Sequence, residues 1–211
     1  MHLNNFKDKH KGEVCTIVGN GPSLKGVSDT FLDKYPTFGT NRCYLRFVPN
    51  YYVCVNPLVI DQNRNDITAL DTVKFIRNGE CGGYPLVKSV NKQMFSFEPD
   101  KWYYEGYTVT YVCLQLAFWM GFETALLVGI DHRYKFDGKP NERQRMKGRD
   151  PNHFDPKYFK GQEWQTPDLA RSEQAYRVAN NAYGLYGRRI INLTEGSALD
   201  VFHRGDIREW M

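Results

Sequence analysis

One stretch constrains this chain more than any other: Cys15-Thr16-Ile17-Val18 runs straight into Gly19-Asn20-Gly21, then Pro22-Ser23-Leu24. Four strand formers, a glycine-rich turn and a helix start are the opening unit of an α/β sheet. Glycine lets the backbone approach a ligand closely, and the following helix offers unpaired N–H groups and its positive dipole end. In an open α/β sheet that turn lies at the carboxyl edge of the first strand, where phosphates are held. It is not a Walker A loop, which needs Gly-Lys-Ser/Thr. Nor is it a full dinucleotide fingerprint, whose third glycine would fall at Leu24. The same residues also suit a bare strand–helix turn, so the other strand ends must decide.

Short β-rich runs recur at 15–18, 37–40, 51–55, 73–76, 125–130 and 189–193. Several are continuously apolar, as strands covered on both faces are. Between them lie helical segments, two of them strong. Residues 108–120 are apolar nearly all round, with Val109, Val112, Leu116 and Met120 on one side and Tyr111, Phe118 and Trp119 elsewhere, which predicts a buried helix. Thr108 or Thr110 suits its N-cap, and Gly121 its end. Residues 168–183 put Leu169, Ser172, Tyr176, Ala179 and Tyr183 on one stripe, capped by Asp168 behind Pro167. Strands alternating with helices predict a Rossmann-like, three-layer αβα fold with a mostly parallel sheet of about six or seven strands.

No repeat or linker divides the 211 residues, so one nucleotide-binding α/β domain spanning 1–211 is expected. Residues 133–167 are rich in Lys, Arg, Asp, Asn, Gly, Pro and aromatics; a loop of that length reads as a lid-like segment. The longest apolar runs are too short to span a bilayer, and the first residues lack the apolar core of a signal peptide. A cytoplasmic location is the expectation. Five cysteines without a Cys-x-x-Cys pair imply reduced thiols rather than a disulfide frame or zinc cluster, with Cys15, Cys54 and Cys113 in the core. Net charge is +4. Lys7, Lys9 and Lys11 read as solvated, whereas Arg143, Arg145, Lys147 and Arg149 are placed to close over an anionic ligand. No nucleic-acid motif accompanies them.

Ligands of an open parallel sheet lie beyond the carboxyl ends of its strands. Those ends deliver Gly19, Asn20, Gly21 and Ser23; then Asn41 and Arg42; then Asn56; then Asp131, His132, Arg133 and Tyr134. Three successive ends supply an asparagine, whose amide suits base edges, ribose hydroxyls and phosphate oxygens. Asp131 fits a Mg²⁺ ligand, a ribose-hydroxyl acceptor or a general base, with a helix cap or ion pair as the lesser alternative. His132 and His153 are the histidines placed for acid–base chemistry or phosphate contact. A Ser-His-Asp arrangement, an His-Glu-x-x-His zinc motif and an obvious nucleophile are all missing.

Taken together, Gly19-Asn20-Gly21-Pro22-Ser23-Leu24, Thr37-Phe38-Gly39-Thr40-Asn41-Arg42, Val55-Asn56 and Gly129-Ile130-Asp131-His132 resemble a bacterial and archaeal family of unknown function. That family is grouped with archaeal 6-hydroxymethylpterin diphosphokinases. Asp150-Pro151-Asn152-His153-Phe154, Trp164-Gln165-Thr166-Pro167-Asp168 and Gly196-Ser197-Ala198-Leu199 extend the resemblance over nearly the whole chain. The skeleton is also similar to bacterial CMP-sialic-acid sialyltransferases of glycosyltransferase family 42. That resemblance implies nucleotide binding by Asn20, Ser23, Asn41 and Asn56, with Thr108 and Thr110 contributing. Tyr134 and Arg133 would lie at the leaving phosphate. Family 42 enzymes carry their catalytic histidine just before the C-terminal helix, where this chain has Gln165-Thr166; His153 is the nearest in that loop.

Two enzyme readings follow. In the first, a glycosyltransferase of surface-polysaccharide assembly uses a CMP-type nucleotide-sugar and an acceptor alcohol or glycan, with Asp131, His132 or His153 as base and no metal. In the second, a diphosphokinase moves pyrophosphate from ATP to a hydroxymethylpterin-like alcohol, with Asp131 holding Mg²⁺. A non-catalytic nucleotide-binding module is the third reading.

Overall fold

Eight strands, each parallel to its neighbours, form the central sheet of the computed structural model, which describes residues 3–89 and 94–211. They are β1 (Val14–Val18), β2 (Thr37–Thr40), β3 (Tyr51–Cys54), β4 (Val73–Arg77), β5 (Tyr84–Leu86), β6 (Thr124–Val128), β9 (Arg189–Asn192) and β10 (His203–Arg204). A separate antiparallel hairpin pairs β7 (Arg143–Arg145) with β8 (Glu163–Gln165). The main sheet runs β10-β9-β6-β1-β2-β3-β4-β5. Six or seven strands were expected, and eight are present. The two without a sequence signal are β5 and β10 at the opposite edges. Tyr84-Pro85-Leu86 carries a proline that only an edge strand tolerates, and His203-Arg204 is too short to show a period.

Alternation along β1 explains the continuous apolar run: Cys15 and Ile17 enter one core, Val18 the other. The first core lies under α4 (Val109–Trp119) and α5 (Leu169–Leu185). Residues 110–119 of α4 are all buried, as its all-round apolar surface predicts. The one amide among them is satisfied: Gln115 accepts from the Ser96 and Tyr104 N–H groups and donates to the Tyr104 and Tyr111 carbonyls. Gly121, at φ +94°, ends the helix where a Cβ would crowd the Lys11 backbone. Asp168 caps α5 by accepting the Arg171 N–H at 3.2 Å.

The second core lies under α1 (Asp29–Leu32), α2 (Pro57–Gln62) and α3 (Arg64–Ala69). Phe154, Tyr158 and Trp164 join them against Val18, Cys54, Leu126 and Val128. The segment expected as a loop therefore contributes both a hairpin and part of this core. Its strands read Arg-Gln-Arg and Glu-Trp-Gln, too short and too charged for periodicity to reveal.

Candidate active site

The chain lays β1 to β5 outward to one side, then places β6 on the other side of β1. At such a switch the connections diverge and a crevice opens beyond the strand ends. The turns after β1 and β6 are stitched together there: Gly19 N–H donates to the Val128 carbonyl at 2.8 Å and Gly21 N–H to Gly129 at 2.9 Å. Over them lies a cleft of about 500 Å³.

Gly19, Asn20, Gly21, Asn41 and Asn56 all line that cleft, on three successive strand ends. Asn20 donates from Nδ2 to the Thr40 carbonyl (3.0 Å) and hydroxyl (2.9 Å), while its buried Oδ1 has no partner among the described residues. Asn41 sits at φ +51°, its carbonyl accepting the Tyr52 hydroxyl at 2.5 Å. Asn56 caps α2 through Oδ1 (Leu58 N–H, 2.9 Å) and donates from Nδ2 to Gln165 Oε1 at 3.1 Å. Thr108 and Thr110 line the cleft at the start of α4. Thr108 occupies the N-cap position without capping, because its hydroxyl lies 3.3 Å from that of Tyr176.

Two residues expected among the nucleotide contacts are engaged elsewhere and do not line the cleft. Ser23 gives its backbone N–H (3.1 Å) and hydroxyl (2.7 Å) to the Asp131 carboxylate. Arg42 donates its backbone N–H to the Tyr158 hydroxyl at 2.9 Å and lays its guanidinium 5.5 Å from that ring's centre. The basic cluster behaves likewise. Arg143, Arg145, Lys147 and Arg149 are exposed and outside the cleft lining.

Asp131, His132, Arg133, Tyr134 and His153 all reach the cleft. Asp131 holds the turn after β1 through Ser23, the capping role rather than an open carboxylate. His132, at φ +53°, sets Nε2 3.2 Å from Glu173 Oε1. Arg133 donates from Nε to the Gly196 carbonyl at 3.1 Å. Tyr134 is partly exposed as a residue, yet desolvation about its phenol, with Tyr176, Asp131 and Asp150 close by, raises its pKa. His153 is the most rigidly held. Its Nδ1 lies 2.9 Å from Oδ2 of Asp150, whose side chain is wholly buried, and its ring stacks on Tyr158 at 4.1 Å.

Asp150, Tyr158, Glu173 and Tyr176 carry no role in the sequence reading. For Asp150 a signal existed: a carboxylate three residues before His153. Among the described residues no three His, Cys, Asp or Glu side chains converge to hold a metal ion.

No protein-family model and no curated protein sequence matches the chain. Solved structures share its fold. The MAf glycosyltransferase from Magnetospirillum magneticum AMB-1 superposes with a TM-score of 0.58 at 15% identity, over 96% of this chain and 35% of its own. The chain thus spans about a third of that protein's length. The sialyltransferase CstII from Campylobacter jejuni, in complex with the substrate analogue cytidine-5'-monophosphate, superposes with a TM-score of 0.51 at 15% identity. That match covers 92% of this chain and 85% of CstII. At such identity the likeness is one of fold. No described helix is long and apolar enough to cross a membrane.

Proposed function

We propose that this chain is a glycosyltransferase whose nucleotide-sugar, of the CMP type, lies between the Gly19–Gly21 turn and segment 133–167, and whose general base is His153. The observation that carries the reading is the Asp150–His153 pair at the cleft, with Nδ1 at 2.9 Å from a wholly buried carboxylate. A carboxylate on Nδ1 keeps the proton there and leaves Nε2 the lone pair that a base needs. Stacking on Tyr158 fixes the ring's plane. The other bases considered are less suited. Asp131 is occupied by Ser23, and His132 leans on a Glu173 whose side chain is 37% exposed.

In the reaction the acceptor hydroxyl attacks the anomeric carbon and its proton passes to His153 Nε2. The bond from that carbon to the phosphate oxygen breaks, and the nucleotide departs with the electron pair. Tyr134 donates a hydrogen bond to that phosphate and Arg133 offsets its charge. Asn20 Oδ1 accepts from the nucleotide, which satisfies an otherwise unpartnered buried oxygen. The lining supports a leaving group of low charge. Of its cations Lys88 is already paired to Glu105 at 2.6 Å, which leaves Arg133 without a carboxylate partner among the described residues. A diphosphokinase must neutralise a metal–triphosphate, and no observation favours that reading.

Calorimetric titration with CMP, CDP, UDP, GDP and ATP, each with Mg²⁺ and with EDTA, tests the proposal. Metal-independent CMP binding is expected. Tight ATP binding that requires Mg²⁺ overturns it.

A further inference from the structure

The hairpin carries a row of cations that the nucleotide cleft does not use. Along 143–149 exposure alternates at the start: Arg143, Arg145 and Lys147 face solvent, while Gln144 and Met146 turn inward and Met146 packs on the second core. Arg149 extends the exposed row. Pairing continues past the strands, with Met146 N–H donating to the Gln162 carbonyl at 3.0 Å, so the backbone stays extended. Successive outward side chains on such a backbone stand about 7 Å apart. Among the described residues none of these four cations has a carboxylate within 4.0 Å.

The row has a direction. Arg143 is directly opposite Gln165 in the hairpin register, on the same face. Gln165 lines the cleft and accepts from Asn56, which caps α2 at the third strand end. The first cation therefore flanks the cleft mouth and the others lead away from it. The outward residues of the hairpin are charged or amide side chains, with Trp164 buried and Met146 partly buried on the other face, so this face offers no apolar side chain for a bilayer to take up.

Resting on the reading of the cleft as a nucleotide-sugar site, we infer that this face of the hairpin is the acceptor track, and that the acceptor is an acidic glycan chain bearing carboxylates along its length. Regularly spaced guanidinium groups hold carboxylates by paired hydrogen bonds and leave the chain free to be threaded towards His153. The surface adds charge recognition without deep burial, so its binding weakens steeply with salt.

The test is fluorescence anisotropy with a labelled galacturonate hexamer, at low and at physiological salt, on wild type and on Arg143→Gln/Arg145→Gln. Both substituted side chains are exposed and form no ion pair among the described residues, although Arg145 stands opposite Glu163 in the hairpin register; an unchanged melting temperature verifies that the fold is retained. Binding to wild type, weakened at least tenfold in the variant with CMP affinity unchanged, is the expected result. A neutral maltose hexamer should not bind. Equal loss on Lys7→Gln/Lys9→Gln, absence of binding by wild type, or binding to phosphatidylglycerol vesicles in place of the glycan each overturns the inference. Loss of CMP binding by wild type instead sinks the nucleotide-sugar reading, and the hexamer result still stands or falls by itself.

Discussion

The Asp131 carboxylate occupies the space that a side chain at Gly21 would need, and a Cβ built on Gly21 would collide with Oδ2. The turn after β1 is therefore shaped by a residue beyond the end of β6, and Ser23 locks it with two hydrogen bonds to that carboxylate. Gly21→Ala must displace Asp131 or the turn, and should cost about 1–3 kcal/mol, as overpacked sites do. Ser23→Ala keeps the space but removes a bond to a charged acceptor, worth about 1.5–3 kcal/mol. Urea unfolding of both variants gives the numbers. Wild-type stability in Gly21→Ala would mean that the two residues are not in contact.

Catalysis should separate from binding at the Asp150–His153 pair. His153→Ala is expected to retain CMP affinity and to lose about 10²–10⁴-fold in transfer rate, the usual contribution of a positioned base. Asp150→Asn preserves the shape but not the charge that orients Nδ1, so transfer falls while nucleotide binding holds. Rates with a CMP-sugar, measured beside CMP titrations, check this. Parallel losses of affinity and rate would assign His153 to binding instead.

How far the sequence discloses this site follows from where each partner lies. Asn20, Asn41 and Asn56 follow apolar strands, so counting strand ends is enough to place all three in one cleft. Ser23 follows a strand too, yet its hydroxyl is claimed by Asp131, 108 residues further on, a contact that no local pattern reports. Arg42 turns away for the same kind of reason, because Tyr158 is 116 residues distant. Asp150 is a charge buried in a polar segment, and burial of that sort leaves no period. The helix 168–183 shows the reverse: Tyr176 reads as core, and it is core, but its hydroxyl also meets Thr108 at the cleft.

Thiol chemistry offers a check on the core. Cys15, Cys43, Cys54 and Cys113 are buried and Cys81 is partly exposed. Burial raises the pKa of all four buried thiols, that of Cys54 to about 12. Native alkylation at pH 8 should modify Cys81 alone, and all five after denaturation, read by mass spectrometry. The raised values also set an alkaline limit. The folded state retains protons that the unfolded state releases above about pH 9, so stability is intact below that pH and declines as pH rises towards 12 and beyond. The loss is on the order of 1 kcal/mol per thiol per pH unit. A urea midpoint unchanged between pH 8 and pH 10.5 would contradict the burial of these side chains.

Gln62 on α2 acts as a stand-in strand partner for the hairpin. Its Nε2 donates to the Glu163 carbonyl and its Oε1 accepts the Glu163 N–H, both at 2.8 Å. A neighbouring bond from Gln162 Nε2 to Asn63 Oδ1, at 3.0 Å, reinforces the seam. These amides tie segment 133–167 to the end of α2 beside the cleft, away from the β1–β6 pairing at the centre of the sheet. Gln62→Ala removes both bonds to Glu163 at about 1 kcal/mol each. Because the seam is peripheral, that cost should fall on local opening rather than on global unfolding, raising the open population roughly tenfold or more. Native-state hydrogen exchange is the measurement: amides of 143–146 and 162–165 should exchange faster, while those of β1 and β6 keep their protection. Uniform acceleration across the sheet would show that the hairpin and the core open as one unit.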